Sequence, residues 1–394
     1  MGRIKPPKPL EFRIIATPES IKPSSDKMKV VGVFNPGVAQ HKDETILMLR
    51  VAEAPIEDGL ILPYFNIDNS TNSPFEIEFD KMQRKEIKYE RRTNVFLKKE
   101  RYTRLKHISY PLIAKSKDGL TLDSIEEKPS FYPSYEHERF GIEDVRVTKL
   151  NTPMGQEDVF AFTYVSPHRL YGVSTSMVTT LDFNKFKRFE LQGKPRPIRI
   201  MVKDFSIFPE KVRSPEFRKD ELENYKMDYA ALTRPNAFAD ISNPGIWISY
   251  SDNLIYWGGS ERLIGSSDGE FSGTGTPVIK IDSIWFGIYH EVNEKIRKRY
   301  GNEKYFSYKG KILGLDYKNP SKLLYKSDVL MNPQEHELPY GYRPNAVYPT
   351  GIVRRESAGV IDIYSGEDDS YTSVRRYYEE DLMKFLKKSS KIWN

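Results

Sequence analysis

Ser176-Met-Val-Thr-Thr-Leu-Asp182-Phe183, Ile248-Ser-Tyr-Ser-Asp252-Asn-Leu254 and Ile312-Leu-Gly-Leu-Asp316-Tyr317 share one grammar. In each, an apolar run suited to a strand ends on an aspartate that opens a turn, and an aromatic residue or leucine follows. The three aspartates lie 70 and then 64 residues apart, too far for a hairpin and the right length for four strands with their loops. Periods of this kind point to the blades of a β-propeller, although aspartate is also common in ordinary turns. The same texture continues outward. Residues 30–34, 45–51, 159–164, 246–250, 284–289, 312–315 and 360–364 are short runs rich in Val, Ile, Phe, Tyr and Trp, most of them bounded by Gly, Pro, Asn or Asp. Helical periodicity is clearest at residues 379–388, where Leu382, Met383 and Phe385 sit among Lys and Glu. The charged stretch 213–228 reads as a short helix or exposed loop. The expectation is an all-β chain, a single five-bladed propeller over residues 30–375, with an N-terminal extension (1–29) and a C-terminal helical tail (376–394).

The 394 residues would ordinarily suggest two or three domains, but closed β architectures absorb such lengths in one. Aromatic residues reach 13%, which suits strands and also clefts where rings stack on sugar faces. The net charge of +6 comes from 61 basic residues interspersed with 55 acidic ones. With no helix-turn-helix, zinc-finger or RNP pattern, a nucleic-acid partner is disfavoured, and the basic runs 98–104 and 295–299 read as solvated faces. The absence of Cys excludes disulfides, thiolate metal sites and cysteine nucleophiles. Six scattered His without paired spacing argue against a metal centre. No run of 18 apolar residues and no apolar N-terminal core are present, so the expectation is no membrane partner and a cytoplasmic location.

Chemistry concentrates at strand ends. Residues 135–148 hold Glu143, Asp144 and Arg146 immediately before a strand-like run. Lys203-Asp204-Phe-Ser-Ile-Phe208-Pro209-Glu210 has the same character, and a Gly/Thr/Pro loop at 273–277 leads into a hydrophobic strand ending on His290 and Glu291. Taken alone, Asp144 and Arg146 read as a structural ion pair.

The order of the pieces is more specific than any one of them. Phe34-Asn35-Pro36-Gly37, Leu49-Arg50-Val51, Gly141-Ile-Glu-Asp144-Val-Arg146, the Lys203 to Glu210 motif, Arg234-Pro235, Tyr289-His290 and Tyr364-Ser-Gly-Glu-Asp-Asp369 resemble, in register, the motifs of glycoside hydrolase family 130. The resemblance spans residues 30 to 370 and implies a five-bladed propeller that cleaves β-mannosides with inversion, using either phosphate or water. It implies that Asp144 is the general acid, protonating the glycosidic oxygen through a sugar hydroxyl. It places Asn35, Arg50 and Asp369 in the mannose subsite, with Arg146 holding or orienting Asp144. Lys203, Asp204, Arg234, His290 and Tyr308 match the region where phosphorylases hold their anion. Val145 departs from the family's Glu-Asp-Pro-Arg form.

Two other departures favour water as nucleophile. No Lys precedes the Gly-rich loop, where Asp268-Gly-Glu270 stands, and Glu291 replaces the Gly that usually follows Tyr-His. A carboxylate repels a phosphate dianion and can serve as base to a water. The leading expectation is therefore an inverting β-mannosidase with Glu291, or else Glu270, as base. It would need no cofactor and act on a β-linked manno-oligosaccharide or mannoside, with a homo-oligomer as one possible assembly. A phosphorylase using inorganic phosphate as co-substrate and a non-catalytic sugar-binding propeller are the alternatives.

Overall fold

A computed structural model describes residues 4–57, 59–67, 75–151, 157–170, 172–191, 194–214, 226–235, 245–265, 270–297, 303–339 and 341–390. Most of segment 213–228 therefore lies outside the described residues, although Val212–Arg213 pairs with residues 227–228 at its two ends. β-branched and aromatic content builds the described chain mostly from strands, and the longer ones are buried almost continuously, as strands packed on both faces are.

Among the described residues, five antiparallel sheets of four or five strands follow one another along the chain. The first contains Met28–His41, Glu44–Pro55, Ile108–Ser116 and Ser124–Ile125, and the second Glu143–Leu150, Val159–His168, Gly172–Thr180 and Lys187–Arg188. The third is built on Val202–Ile207, Met227–Pro235, Ile246–Ser251 and Gly258–Ile264. In the fourth, Glu270–Thr274 and Ile279–Ile281 share the edge of the long hairpin Ile284–Arg297/Glu303–Asp316, with Leu323–Met331 outside it. The fifth contains Val347–Arg355, Val360–Glu367 and Tyr371–Tyr378, and its outer strand is Glu11–Ala16, from the far end of the sequence.

The sequence repeat marks a definite place in this plan. Asp182 and Asp316 follow the third strands of their sheets, and their carboxylates accept backbone N–H groups of the turn, from Asn184 at 2.9 Å and Asn319 at 2.7 Å. A fourth instance, Asp118, accepts from Leu120 and Thr121 after the third strand of the first sheet. At the 252 turn the neighbouring Asn253 does this work instead, accepting from Ile255 and Tyr256.

The apolar core is divided among the gaps between sheets. Ile46, Met48, Val147 and Phe162 fill the gap between first and second, and Met177, Phe205 and Ile207 that between second and third. Leu232, Ile248, Trp285 and Leu313 lie between third and fourth. Phe286, Ile312, Val347 and Ile363 lie between fourth and fifth, covered by the helix Glu379–Ser389 through Leu382, Phe385 and Leu386. Val38, Leu49, Tyr364 and Val374 join the fifth sheet to the first. No described helix is long and apolar enough to cross a membrane.

Two small sheets are inserted between the second and third strands of the first sheet: Ile61–Asn66/Glu76–Lys81 and Ile87–Glu90/Asn94–Leu97/Thr103–Leu105. Here the basic run 98–104 is not wholly solvated. Lys98, Lys99 and Arg101 are exposed, but Arg104 is buried, bonded to Asp80 at 2.9 Å and stacked over Phe140.

Candidate active site

One backbone device recurs at the first strands of three successive sheets. Asn35, Asp144 and Asp204 each have a positive φ, 48°, 49° and 54°, and each sits where strand register slips: between Phe34 and Gly37, Glu143 and Arg146, and Lys203 and Ser206. Asn and Asp tolerate this left-handed region better than other non-glycine residues. Each bulge breaks the alternation and re-aims a polar side chain toward the ends of these strands. Asp369, at φ 50°, occupies the turn between the last two strands of the fifth sheet.

These positions meet at a cleft of about 270 Å³ lined by Asn35, Arg50, His107, Glu143, Asp144, Lys203, Arg234, Tyr308, Tyr342, Arg343, Tyr348 and Asp369, among others. The Asp144 carboxylate accepts from Asn35 Nδ2 at 2.8 Å and Arg50 Nη1 at 2.7 Å. Arg50 reaches Glu143 through Nη2 at 2.5 Å, donates to Ser109 through Nε, and lies over the Phe34 ring. Burial opposes the charge on Asp144, but Arg50, Arg146 and the Asn35 bond outweigh it and hold the carboxyl below its usual range. Glu143 goes the other way: burial pushes it up to about 6 against the pull of Arg50, with Asp144 adding to the rise. Two adjacent carboxyls thus share one guanidinium and divide their protons unequally.

Arg146 does not pair with the Asp144 carboxylate. It is 1% exposed, donates from Nη1 to the Asp144 backbone carbonyl at 2.8 Å, and reaches the Gly275 carbonyl and the Tyr348 hydroxyl. It therefore ties the second, fourth and fifth sheets together beneath the cleft and pins the bulge. Val145, in place of the family's Pro, is buried between the first and second sheets, so side-chain bonds and core packing hold Asp144 without it.

In the same cleft Lys203, Arg234 and Arg343 converge, close enough to act on one another's charge. Arg234 is paired with Asp204 at 2.6 Å, and the Tyr348 hydroxyl donates to the same carboxylate at 2.7 Å. Asp204 is buried and stays ionised, because Arg234 and Arg146 overcome the burial that opposes its charge. It stands behind the lining, balancing Arg234. Lys203 and Arg343 form no ion pair with a carboxylate among the described residues, and Arg343 donates to the Tyr308 hydroxyl at 2.9 Å. Arg234 and burial together lower Lys203 to about 8.

His290 lies behind this cluster, fully buried, its ring 4.4 Å from that of Tyr348 and 3.8 Å from Asp204. Burial lowers it to about 3, so it is neutral. Gly273 makes room for it: a Cβ there would lie 2.5 Å from both the His290 ring and Asp204.

Glu291, the next residue on the strand, faces away. Its carboxylate is bonded to Lys311 at 2.7 Å and does not line the cleft. Glu270 pairs through its backbone with Asn293, and its side chain lies outside the described residues. Sequence reasoning missed His107, Tyr342, Arg343 and Tyr348 as cleft residues and passed over Glu143, which was visible beside Asp144. The turn-rich stretch Gly341-Tyr342-Arg343-Pro344-Asn345 was the available signal for two of them. Among the described residues, no group of three or more His, Asp or Glu could hold a metal ion.

A mostly β scaffold whose paired carboxyls and cation cluster line one sugar-sized cleft is that of a carbohydrate-cleaving enzyme. A family model described as beta-1,4-mannooligosaccharide phosphorylase matches residues 81–388. A beta-1,2-mannobiose phosphorylase from Listeria innocua is 30% identical over 365 residues, 90% of this chain and 91% of that one. A beta-1,4-mannooligosaccharide phosphorylase from Ruminococcus albus is 25% identical, with 60% and 64% of the two chains covered. The solved structure of the Listeria innocua enzyme in complex with beta-1,2-mannobiose superposes with a TM-score of 0.75 at 27% identity, over 94% of this chain and 96% of that one. The chain belongs to glycoside hydrolase family 130, whose enzymes are phosphorylases or hydrolases of mannosides.

Proposed function

We propose that this protein is an inverting β-mannoside phosphorylase, with β-1,2-mannobiose the first substrate to test, rather than the hydrolase that the sequence favoured. The observation that carries this reading is the cation cluster: Lys203 and Arg343 have no carboxylate partner among the described residues, and they stand beside Arg234 and the Tyr308 hydroxyl in the cleft. Three converging cations, of which only Arg234 has a paired carboxylate, together with a hydroxyl donor suit a phosphate dianion. Of the features that favoured hydrolysis, Glu291 is instead bonded to Lys311, while Asp268, Gly269 and the Glu270 side chain lie outside the described residues. The Listeria innocua relative is itself a phosphorylase.

In this reading Asn35, Arg50 and Asp369 hold the mannosyl unit, and Asp144 gives the proton that reaches the glycosidic oxygen through a sugar hydroxyl. That C–O bond breaks, and a phosphate oxygen forms the new bond to the anomeric carbon from the opposite face, which inverts it. The products are mannose 1-phosphate and the released sugar. Asp144 is an anion in the free protein. A dianion bound at Lys203, Arg234 and Arg343 offsets the positive charge that keeps it so and raises its affinity for the proton. Arg146, Asp204 and His290 act from behind the lining as positioning groups.

The scaffold is read as a five-bladed β-propeller over residues 11–378, with the helical tail after it. This is wider than the 30–375 expected, because Glu11–Ala16, from the expected N-terminal extension, pairs with Tyr371–Tyr378 in the fifth sheet. Five successive sheets with cores in each gap, including the gap between last and first, support this.

The test is to incubate wild type and Asp144→Asn with β-1,2-mannobiose, with and without phosphate. Wild type should release mannose 1-phosphate only when phosphate is present, and the variant should be slower by about 10²- to 10⁴-fold with an unchanged melting temperature. Mannose released without phosphate at an equal or greater rate restores the hydrolase reading.

A further inference from the structure

The cleft has a wall that the mechanism above does not use. The segment inserted between the second and third strands of the first sheet brings Thr93, Asn94 and Leu105 to the lining, and His107 stands where it rejoins the sheet. We propose that this wall recognises the leaving-group sugar, and that His107 makes a hydrogen bond to one of its hydroxyls.

The side of the cleft follows from inversion and rests on the phosphorolysis reading. Nucleophile and leaving group occupy opposite faces of the anomeric carbon, and Lys203, Arg234 and Arg343 mark the nucleophile's side. His107 touches other groups: Glu143, at 4.0 Å, and the edge of the Tyr342 ring, at 5.3 Å between centroids. It has no bond or ring contact with the three cations among the described residues.

The chemistry follows from its environment. The His107 side chain is 7% exposed, and its Nδ1 has no hydrogen-bond partner. The 4.0 Å separation from Glu143 is too long for a hydrogen bond from Nε2. Nε2, unlike Nδ1, is not sealed off and makes no hydrogen bond among the described residues, so it is the ring nitrogen left to meet a ligand in the cleft. Burial and Arg50 keep the ring neutral, so it offers one donor and one acceptor. That suits a sugar hydroxyl and not a charged group. The remaining residues that the insert brings to the cleft, Thr93, Asn94 and Leu105, carry no charge, which selects a neutral hydroxylated aglycone over a phosphorylated or carboxylated one.

The wall is also fixed in place. Arg104 is 5% exposed, donates to the carbonyls of Leu62 and Pro63 and to Asp80, and stacks on Phe140. The Phe65 amide donates to the Arg139 carbonyl at 2.8 Å, locking the insert to the chain just before Glu143. It is a preformed surface, which suits discrimination between leaving groups.

The experiment runs the reaction backwards, with mannose 1-phosphate as donor and mannose as acceptor, comparing wild type with His107→Phe, which keeps a ring against Tyr342. The KM for mannose should rise about fivefold or more, the loss expected for one hydrogen bond, while the KM for mannose 1-phosphate stays within about twofold. An unchanged mannose KM, or an equal rise in both constants, overturns the proposal. If His107→Phe does not fold, Asn94→Ala takes its place with the same outcomes. A wild type that makes no disaccharide from mannose 1-phosphate defeats the phosphorolysis reading instead. In that case, calorimetric binding of β-1,2-mannobiose decides this proposal: weaker binding to the variant supports it and equal binding overturns it.

Discussion

Lys203 carries the most direct test of how the anion is held. Arg234 beside it and its own burial bring its ammonium down to about 8, so the group is charged below that pH and loses its proton as pH rises through it. kcat/KM for phosphate, which reports the free enzyme, should therefore decline above pH 8. Lys203→Arg, charged throughout the accessible range, should remove that decline even if it lowers the plateau. A wild-type profile that stays flat to pH 9.5 means that Lys203 does not hold the phosphate. At this scale the sequence was legible wherever a motif fixed a backbone position. Asn35, Arg50, Asp144, Lys203, Arg234, Tyr308 and Asp369 do meet at one cleft. It was not legible where strand parity decides the outcome. Neighbours in a strand face opposite ways, so His290 turns toward the site and Glu291 toward Lys311. Without the register, both carry equal promise.

At the scale of elements, the turn repeat was readable because a turn-capping carboxylate or amide recurs after the third strands. Asp182 and Asp316 do the job themselves, Asn253 does it beside Asp252, and Asp118 extends the series by the same 64-residue step. The insert that walls the cleft was not readable. It is charged and short-stranded, and its hold on the body depends on buried Arg104, which resembles the solvated basic residues around it until Asp80 and Phe140 are seen against it. The strand Glu11–Ala16 was likewise hidden, because its partner is some 360 residues away. It pairs with Tyr371–Tyr378, packs Ala16 into the core and lays Phe12 against Arg375, a fully buried guanidinium bonded to Glu367. Deleting residues 1–17 should uncover that pair and cost about 2–4 kcal/mol, the range for breaking up a packed edge with buried charge. The readout is a chemical denaturation midpoint. A midpoint within error of the full chain means the strand adds nothing to the fold.

For the molecule as a whole, each core cluster belongs to two sheets, and no sheet has an apolar face to itself. Opening one gap strips two neighbours of their packing, so the described body should melt in one calorimetric transition whose van't Hoff and calorimetric enthalpies agree. Two resolved transitions, or a half-length proteolytic fragment with its own melt, would show separable units. The pairing of the first strand with the last also sets an order in time. Residues 11–16 leave the ribosome some 360 residues ahead of residues 372–376 and meet them only roughly 20–70 s later at ordinary elongation rates. Until then the growing protein holds an unpaired strand and an unfinished sheet, the edges through which chains join one another. A newly made molecule is therefore exposed to aggregation until residues 372–376 emerge, and slowing its synthesis lengthens that exposure.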